Sequence, residues 1–202
     1  VVISKPKLYG KLVKPLVEAI FALMLFVFLI PALIIIAVLV KMSSRGRVFY
    51  TQVRVGKDGR EFTIIKFRTM VENAESNTGA VYTADNDPRI TKVGKFLRKW
   101  RLDETPQLLN VIKGEMSLIG PRPERYVFIK EFEEKIPFYA QRLAVRPGLT
   151  GWAQVKYPYA SSIEQTEEKL QYDLYYIKNM SFILDLVVLL KTTKVVLFGS
   201  GK

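Results

Sequence analysis

Residues 19–40 read AIFALMLFVFLIPALIIIAVLV and contain no charged side chain. About 20 such residues in a helix are long enough to cross the hydrocarbon core of a bilayer. The run is too long for the apolar part of a cleavable signal peptide, and no small-residue cleavage site follows it. We therefore expect this segment to form a helix that lies in lipid.

Pro31, near the middle of the run, decides which topology we expect for it. Proline removes a backbone donor and clashes with the preceding helical turn, so a kink or a break is predicted there. Lysines precede the run, and Lys41, Arg45 and Arg47 follow it. Because positive residues favour the cytoplasmic side, clusters at both ends predict a helix-break-helix that enters and leaves the membrane through one face. A single kinked spanning helix is the alternative.

The rest of the chain predicts an α/β fold that is mostly helical with a small β-hairpin. Residues 48–70 form two β-rich runs around Lys57-Asp58-Gly59, a hairpin turn signal. Residues 73–88 are polar and glycine-containing, and residues 146–155 contain proline and two glycines, so both are expected to be loops. Helices are expected over residues 91–101, 105–112, 124–134, 162–178 and 182–198.

Two of these helices are candidates for the membrane surface. In the first, basic residues surround an apolar face, which fits an interfacial helix and an ordinary core-facing helix equally well. That face consists of Val93, Phe96, Leu97 and Trp100. In residues 182–198 the charge-free part is too short to span a bilayer, so an amphipathic surface helix is expected. The predicted division is a membrane-embedded re-entrant segment, residues 1–45, and a catalytic domain with surface-associated helices, residues 46–202.

The composition restricts the chemistry that this chain can perform. Its net charge of +12 favours anionic partners such as phospholipid, nucleic acid or phosphorylated metabolites. There is no cysteine and no histidine, which excludes thiol nucleophiles, zinc-thiolate sites and imidazole acid-base catalysis. Asp and Glu are the leading candidates for catalysis, and their hard oxygen ligands suit Mg²⁺ better than zinc.

Residues 100–124, WRLDETPQLLNVIKGEMSLIGPRPE, place two adjacent carboxylates, Asp103 and Glu104, after a basic run. Asp is a preferred helix N-cap and Pro106 fits the first turn of a helix, so a capping role is one interpretation. If the preceding helix continued instead, both acids would lie on its apolar side. A carboxylate pair in that position needs a cation or a positive neighbour. Both interpretations are open.

Short motifs elsewhere supply positive side chains. Taken singly, each fits a solvated surface charge. Several lie beside Pro or Gly, where the backbone shape can direct a guanidinium group at a phosphate. The pattern predicts a polyanionic ligand. These residues are Lys66 and Arg68 in KFRTM, Arg89 in DPRIT, Arg122 in PRP and Arg146 in RPG.

Together, KFRTM, the block DPRITKVGKFLRKWRLDETPQLLNVIKGEMSLIGPRPE, RPGLTGWAQV and YDLYYIKNMSFILDL resemble the bacterial sugar transferases, or monotopic phosphoglycosyl transferases. The resemblance covers residues 15–200. It implies transfer of a sugar-1-phosphate from a UDP-sugar to polyprenyl phosphate, with release of UMP. It also implies that Asp103 is the nucleophile of a covalent phospho-sugar intermediate, with Glu104 beside it and Mg²⁺ held at the pair.

The resemblance has further implications for the membrane segment and for Asp173 and Asp185. Pro31 matches the break of the family's re-entrant helix, although Ile30 stands where many small members have Ser. Asp173 is implied as support for the site, and for Asp185 we favour a structural role. The implied location is the cytoplasmic face of the bacterial inner membrane, and the bilayer is an implied partner. Similarity to larger members implies a homodimer. No nucleic-acid partner is expected. The competing hypotheses are a non-catalytic basic module on the membrane surface, and a glycosyltransferase that releases UDP.

Overall fold

The computed structural model describes residues 8–72, 74, 87–157 and 162–197. Almost all of the loop expected over residues 73–88 lies outside these residues. The described part is mostly helical and contains one small antiparallel hairpin, as predicted.

The N-terminal apolar run forms α1, Lys14–Ser43, which follows a π-helical turn at Tyr9–Val13. Within the described residues, Tyr9–Ser43 is the one helix long and apolar enough to cross a membrane, with a mean hydropathy of 3.3 over an 18-residue stretch. Helical backbone continues through Pro31, so a complete break is not present, and a kink at Pro31 stays a prediction. A proline removes one backbone hydrogen bond and bends a helix without necessarily ending it. The long apolar segments on both sides of Pro31 are helical.

α1 packs against the body of the molecule at both ends. Ala22, on its first half, is buried in the core cluster that contains Leu108. Val40, near its end, is buried with Phe67 and Leu97 in a separate cluster. Much of the remaining surface of α1 is exposed and apolar, because its charge-free sequence has no polar face to present.

The two strands of the hairpin are β1, Phe49–Val55, and β2, Glu61–Phe67. They pair antiparallel, from Phe49 opposite Phe67 to Val55 opposite Glu61. The intervening turn holds Asp58 and Gly59 at positive φ, 55° and 76°, a conformation that Asp tolerates and Gly adopts freely. The hairpin prediction is confirmed.

Next along the chain come α2, Lys92–Lys99, a 3₁₀ turn at Leu102–Gln107, and α3, Leu108–Ile112. Leu97 and Gly94 form the buried face of α2, whereas Phe96 is 57% exposed. α2 is therefore anchored to the core, but Phe96, which the helical periodicity places on the apolar face, points outward.

The segment expected to be a loop, residues 146–155, instead contains a strand and a short helix. β3, Ser117–Ile119, pairs in parallel with β4, Gly148–Thr150, and α5, Trp152–Lys156, follows. A Cβ on Gly148 would lie 2.0 Å from the backbone nitrogen of Gly120, so this close pairing requires glycine. Three-residue strands are too short to produce a recognisable alternation in the sequence.

The remaining helices agree with the sequence expectation. They are α4, Tyr126–Lys135, α6, Ile163–Lys178, and α7, Phe182–Leu197. A 3₁₀ turn at Tyr139–Ala144 precedes β4.

A buried polar cluster joins α1 to α7 and β3. The Lys14 Nζ atom lies 2.7 Å from Asp185 and 2.9 Å from Glu18. Tyr176 donates to Asp185 at 2.6 Å, and Ser117 donates to Glu18. Asp185 thus has the structural position that we favoured, because it fixes the start of the apolar helix to the rest of the molecule.

Candidate active site

The Asp103–Glu104 dyad lies in the 3₁₀ turn that follows α2. Arg101, at φ 56°, has a left-handed conformation after α2, and as the N-cap of the turn it makes no side-chain hydrogen bond. Asp103 and Glu104 lie within the turn, so the capping interpretation is wrong. The uninterrupted helix is also wrong, because the chain leaves helical geometry at Arg101. Both carboxylates are nevertheless buried, 9% and 6% exposed.

Glu104 is held by cations from three segments. Lys66 Nζ, on β2, lies 2.7 Å from Glu104 Oε1. The Arg122 guanidinium contacts both carboxylate oxygens, at 2.5 and 3.3 Å, and Arg101 lies 3.8 Å away. Burial acts to raise the pKa of Glu104, but the charges of Arg122 and Lys66 outweigh it and hold that pKa well below its ordinary value. These cations therefore favour the ionised form of Glu104.

Asp103 has a different environment, although it is adjacent in sequence. No side chain in the described part of the chain hydrogen-bonds its carboxylate. Burial, and then the negative charge of Glu104, raise its pKa, while the charges of Lys66, Arg98 and Arg122 oppose the increase. Two neighbouring carboxylates thus have opposite pKa shifts, which is typical of a site in which they have separate roles.

The site residues predicted from the sequence do not all meet at the dyad. Lys66 and Arg122 contact Glu104. Arg68 instead donates to the backbone oxygens of Ser44 and Arg45, at 2.8 and 2.7 Å, and so holds the end of α1.

Arg89 and Arg146 also have other surroundings. Arg89 makes a bidentate contact with Asp87 and donates to Ala74 O at 3.1 Å. The side chain of Arg146 approaches Gly114, and the residue lines a cavity beside the start of α1. A sequence motif places a cation near a turn, but the direction of its side chain depends on tertiary packing.

Asp173 is connected to the dyad through Arg142, a residue that the sequence analysis missed. It accepts two hydrogen bonds from Arg142, at 3.2 and 3.0 Å, and both side chains are buried. Arg142 also donates to the backbone oxygen of Arg122 at 2.9 Å. The Asp173–Arg142 pair therefore supports the loop that presents Arg122 to Glu104. No motif marked Arg142, which lies in the turn YAQRLA without an adjacent Pro or Gly.

Among the described residues, no group of three or more Asp, Glu, His or Cys side chains is arranged to hold a metal ion. The dyad supplies two carboxylates, and Mg²⁺ often binds proteins through only one or two, so Asp103 and Glu104 are the residues that could hold such an ion. Of the two acids, Asp103 has the available oxygens, because Lys66 and Arg122 occupy those of Glu104.

Comparison with known proteins identifies the family of this chain. The family model described as bacterial sugar transferase matches residues 9–199. The chain therefore belongs to the bacterial sugar transferase family.

Several curated relatives have stated activities. One, a UDP-N-acetylgalactosamine-undecaprenyl-phosphate N-acetylgalactosaminephosphotransferase of Aeromonas hydrophila, is 50% identical over 85% of this chain and 40% of its own length. A UDP-glucose:undecaprenyl-phosphate glucose-1-phosphate transferase of Xanthomonas campestris is 41% identical over 91% of this chain and 38% of its own length. The chain thus spans about two fifths of these two relatives. The exopolysaccharide production protein ExoY of Sinorhizobium fredii is 36% identical over 95% of this chain and 88% of its own length.

Proposed function

We propose that this chain transfers a sugar-1-phosphate from a UDP-sugar to polyprenyl phosphate and releases UMP, as a membrane step of bacterial glycoconjugate or exopolysaccharide synthesis. The observation that carries the proposal is the buried dyad, in which no described side chain hydrogen-bonds the Asp103 carboxylate and Glu104 is bound by cations. The names of the relatives support the donor and acceptor classes. Those relatives differ in the sugar that they carry, so the proposal extends only to the class of donor.

In the first step, a carboxylate oxygen of Asp103 attacks the sugar-bearing β-phosphorus. The bond between that phosphorus and the oxygen bridging to the α-phosphate breaks, and UMP leaves with the bridging oxygen. The product is an acyl phosphate that carries the sugar. The raised pKa of Asp103 makes its ionised form a better nucleophile than an ordinary carboxylate, provided that the pH keeps it deprotonated.

In the second step, an oxygen of polyprenyl phosphate attacks the phosphorus of the phospho-sugar. The bond to Asp103 breaks, the polyprenyl diphosphate sugar leaves, and the Asp103 carboxylate is regenerated. Lys66 and Arg122, positioned by Glu104, supply positive charge next to the reacting phosphate. Glu104 keeps these cations in place and limits their pairing with Asp103 before substrate arrives.

Mg²⁺ is part of the proposal, with Asp103 and Glu104 as the candidate protein ligands. When bound, it would offset charge on the donor diphosphate and on the departing UMP. Asp103 fits this role more readily than Glu104 does, because Lys66 and Arg122 occupy the oxygens of Glu104.

Product identity tests the proposed function directly. With UDP-sugar and polyprenyl phosphate, we expect UMP to be released in equal amount to the lipid-linked product, measured by chromatography of the nucleotides. Release of UDP would instead indicate a glycosyltransferase. Salt-sensitive lipid or nucleic-acid binding with no nucleotide product would indicate the non-catalytic basic module.

The pH dependence of adduct formation provides a second test. Because the ionised Asp103 is the nucleophile, the rate falls as pH drops through its pKa, which lies above the ordinary value. In Glu104→Gln the repelling negative charge is lost and the cations remain, so the pKa of Asp103 falls. We therefore expect the acid limb of the rate profile to move to lower pH, with Glu131→Gln on α4 as an unshifted control. If the acid limb stays at the same pH or moves to higher pH, the electrostatic coupling between Glu104 and Asp103 is contradicted.

For the membrane segment we propose the re-entrant topology, in which α1 bends at Pro31 and both of its ends lie at the cytoplasmic face. The support is that both ends of α1 pack on one body, through Ala22 and Val40. The chain has no cysteine, so single cysteines at Lys11 and Arg45 can be labelled selectively in sealed vesicles. We expect both to react from the same side, and reaction from opposite sides would establish a spanning helix.

A homodimer is included in the proposal by similarity to larger members of the family. The mass of the detergent-solubilised protein, measured by light scattering with the detergent contribution subtracted, tests it.

A further inference from the structure

A cavity of about 120 Å³ lies between the start of α1 and the body of the molecule. None of the residues that hold the dyad lines it. Its wall includes Lys11 and Lys14 at the start of α1, Lys57 in the hairpin turn and Arg146 before β4. These cations come from three separate parts of the chain, and Arg146 has no role in the proposed transfer of sugar-1-phosphate.

The charges around this cavity are not balanced within the described structure. Glu18 is the carboxylate of its wall, and it is already paired with Lys14 at 2.9 Å. Arg146 has no ion-pair partner among the described residues. The contact of Lys57 with Asp58 is long, 3.9 Å, and both side chains are about half exposed or more, 47% and 62%. Excess positive charge from Lys11, Lys57 and Arg146 therefore surrounds the cavity.

The position of the cavity indicates where its ligand comes from. It adjoins the residues immediately before the charge-free run that begins at residue 19. Leu12 and Leu16, on the same turns of helix as the lysines, are 65% and 64% exposed. If α1 lies in the membrane, these exposed leucines meet acyl chains while the cavity lies at the level of the head groups. Basic pockets at this level beside membrane helices bind anionic lipid head groups.

We propose that this cavity binds the phosphate of an anionic membrane phospholipid, at a site separate from the Asp103–Glu104 dyad. Arg146 provides a planar guanidinium that matches phosphate oxygens, and Lys11 and Lys57 provide further charge. The proposal rests on the membrane position of α1 and does not require phosphoglycosyl transfer.

The test uses the full chain in non-ionic detergent. Short-chain phosphatidylglycerol and short-chain phosphatidylcholine are titrated in parallel, and bound lipid is counted by native mass spectrometry. We expect preferential binding of phosphatidylglycerol. Arg146→Gln and Lys57→Gln should each weaken it by about fivefold or more, since a cation near an anionic surface contributes on the order of 1 kcal/mol. Lys130→Gln, an exposed lysine on α4, should change it by less than about twofold.

Three results would overturn the proposal. One is equal binding of the two lipids. Another is an equal loss in Lys130→Gln and the cavity variants, which would indicate diffuse attraction to the whole basic surface. The third is binding of inorganic phosphate, in a parallel titration, that is lost in Arg146→Gln and Lys57→Gln without any binding of phosphatidylglycerol, which would assign the cavity to a soluble anion. Lys57 is in an exposed turn, so its variant remains informative if Arg146→Gln fails to fold.

Discussion

Replacing Asp103 with Asn is expected to abolish the phospho-sugar adduct and to reduce turnover by about four orders of magnitude or more. Removal of a covalent nucleophile leaves only substrate binding and charge stabilisation to accelerate the reaction. Asn has nearly the shape of Asp, so the 3₁₀ turn at Leu102–Gln107 should be preserved. Intact mass after incubation with UDP-sugar, without acceptor, measures the adduct, and UMP release in the presence of acceptor measures turnover.

The matched control for this variant is Asp58→Asn in the hairpin turn. Asp58 is exposed and has a positive φ of 55°, a conformation that Asn also adopts readily. Its adduct and turnover should equal those of the unchanged protein. An adduct that persisted in Asp103→Asn would place the nucleophile at another residue, and the assignment of the dyad would then be wrong.

Replacing Arg142 with Met is expected to destabilise the protein by about 3–5 kcal/mol, because it leaves Asp173 as an uncompensated buried charge. It also removes the hydrogen bond to the backbone oxygen of Arg122, whose guanidinium contacts Glu104. We therefore expect loss of activity in addition to loss of stability. Unfolding in urea and UMP release at a temperature where the variant is folded measure the two effects separately.

The double variant Arg142→Met/Asp173→Leu separates positioning from folding. Replacing a buried ion pair with apolar residues is often nearly neutral for stability, so most of the stability should return. Activity should not return, because the Arg122 carbonyl still lacks its donor. Lys130→Met, on the exposed face of α4, serves as the control. Full recovery of turnover in the double variant would show that Arg142 has only a structural role.

The fold was predictable where one sequence segment determines one element. The charge-free run predicted α1, Asp58-Gly59 predicted the hairpin turn, and helical periodicity predicted α4, α6 and α7. Prediction failed where two distant segments decide the outcome together. The pairing of β3 with β4 depends on the close approach of Gly120 and Gly148, and neither three-residue strand is recognisable alone.

The site shows the same division. The adjacent acids and the basic motifs could be identified from the sequence, and Lys66 and Arg122 do meet Glu104. Arg68 lies instead at the end of α1, since its direction follows the packing of β2 against that helix. Arg142 gave no signal, because its importance lies in burial beside Asp173, which only the folded chain creates. The opposite pKa shifts of Asp103 and Glu104 likewise depend on tertiary neighbours.

The docking of α1 at two separated points restricts how its length can change. Ala22 and Val40 must both face the body of the molecule, and each residue added between them would rotate the later part of the helix by about 100°. A single insertion or deletion would turn Val40 away from Phe67 and Leu97 and present it to the surroundings. A whole extra turn would restore the direction of Val40 but move it about 5.4 Å along the helix axis, so the docking fixes the length between Ala22 and Val40, even though almost any apolar side chain is acceptable on the outer surface of α1.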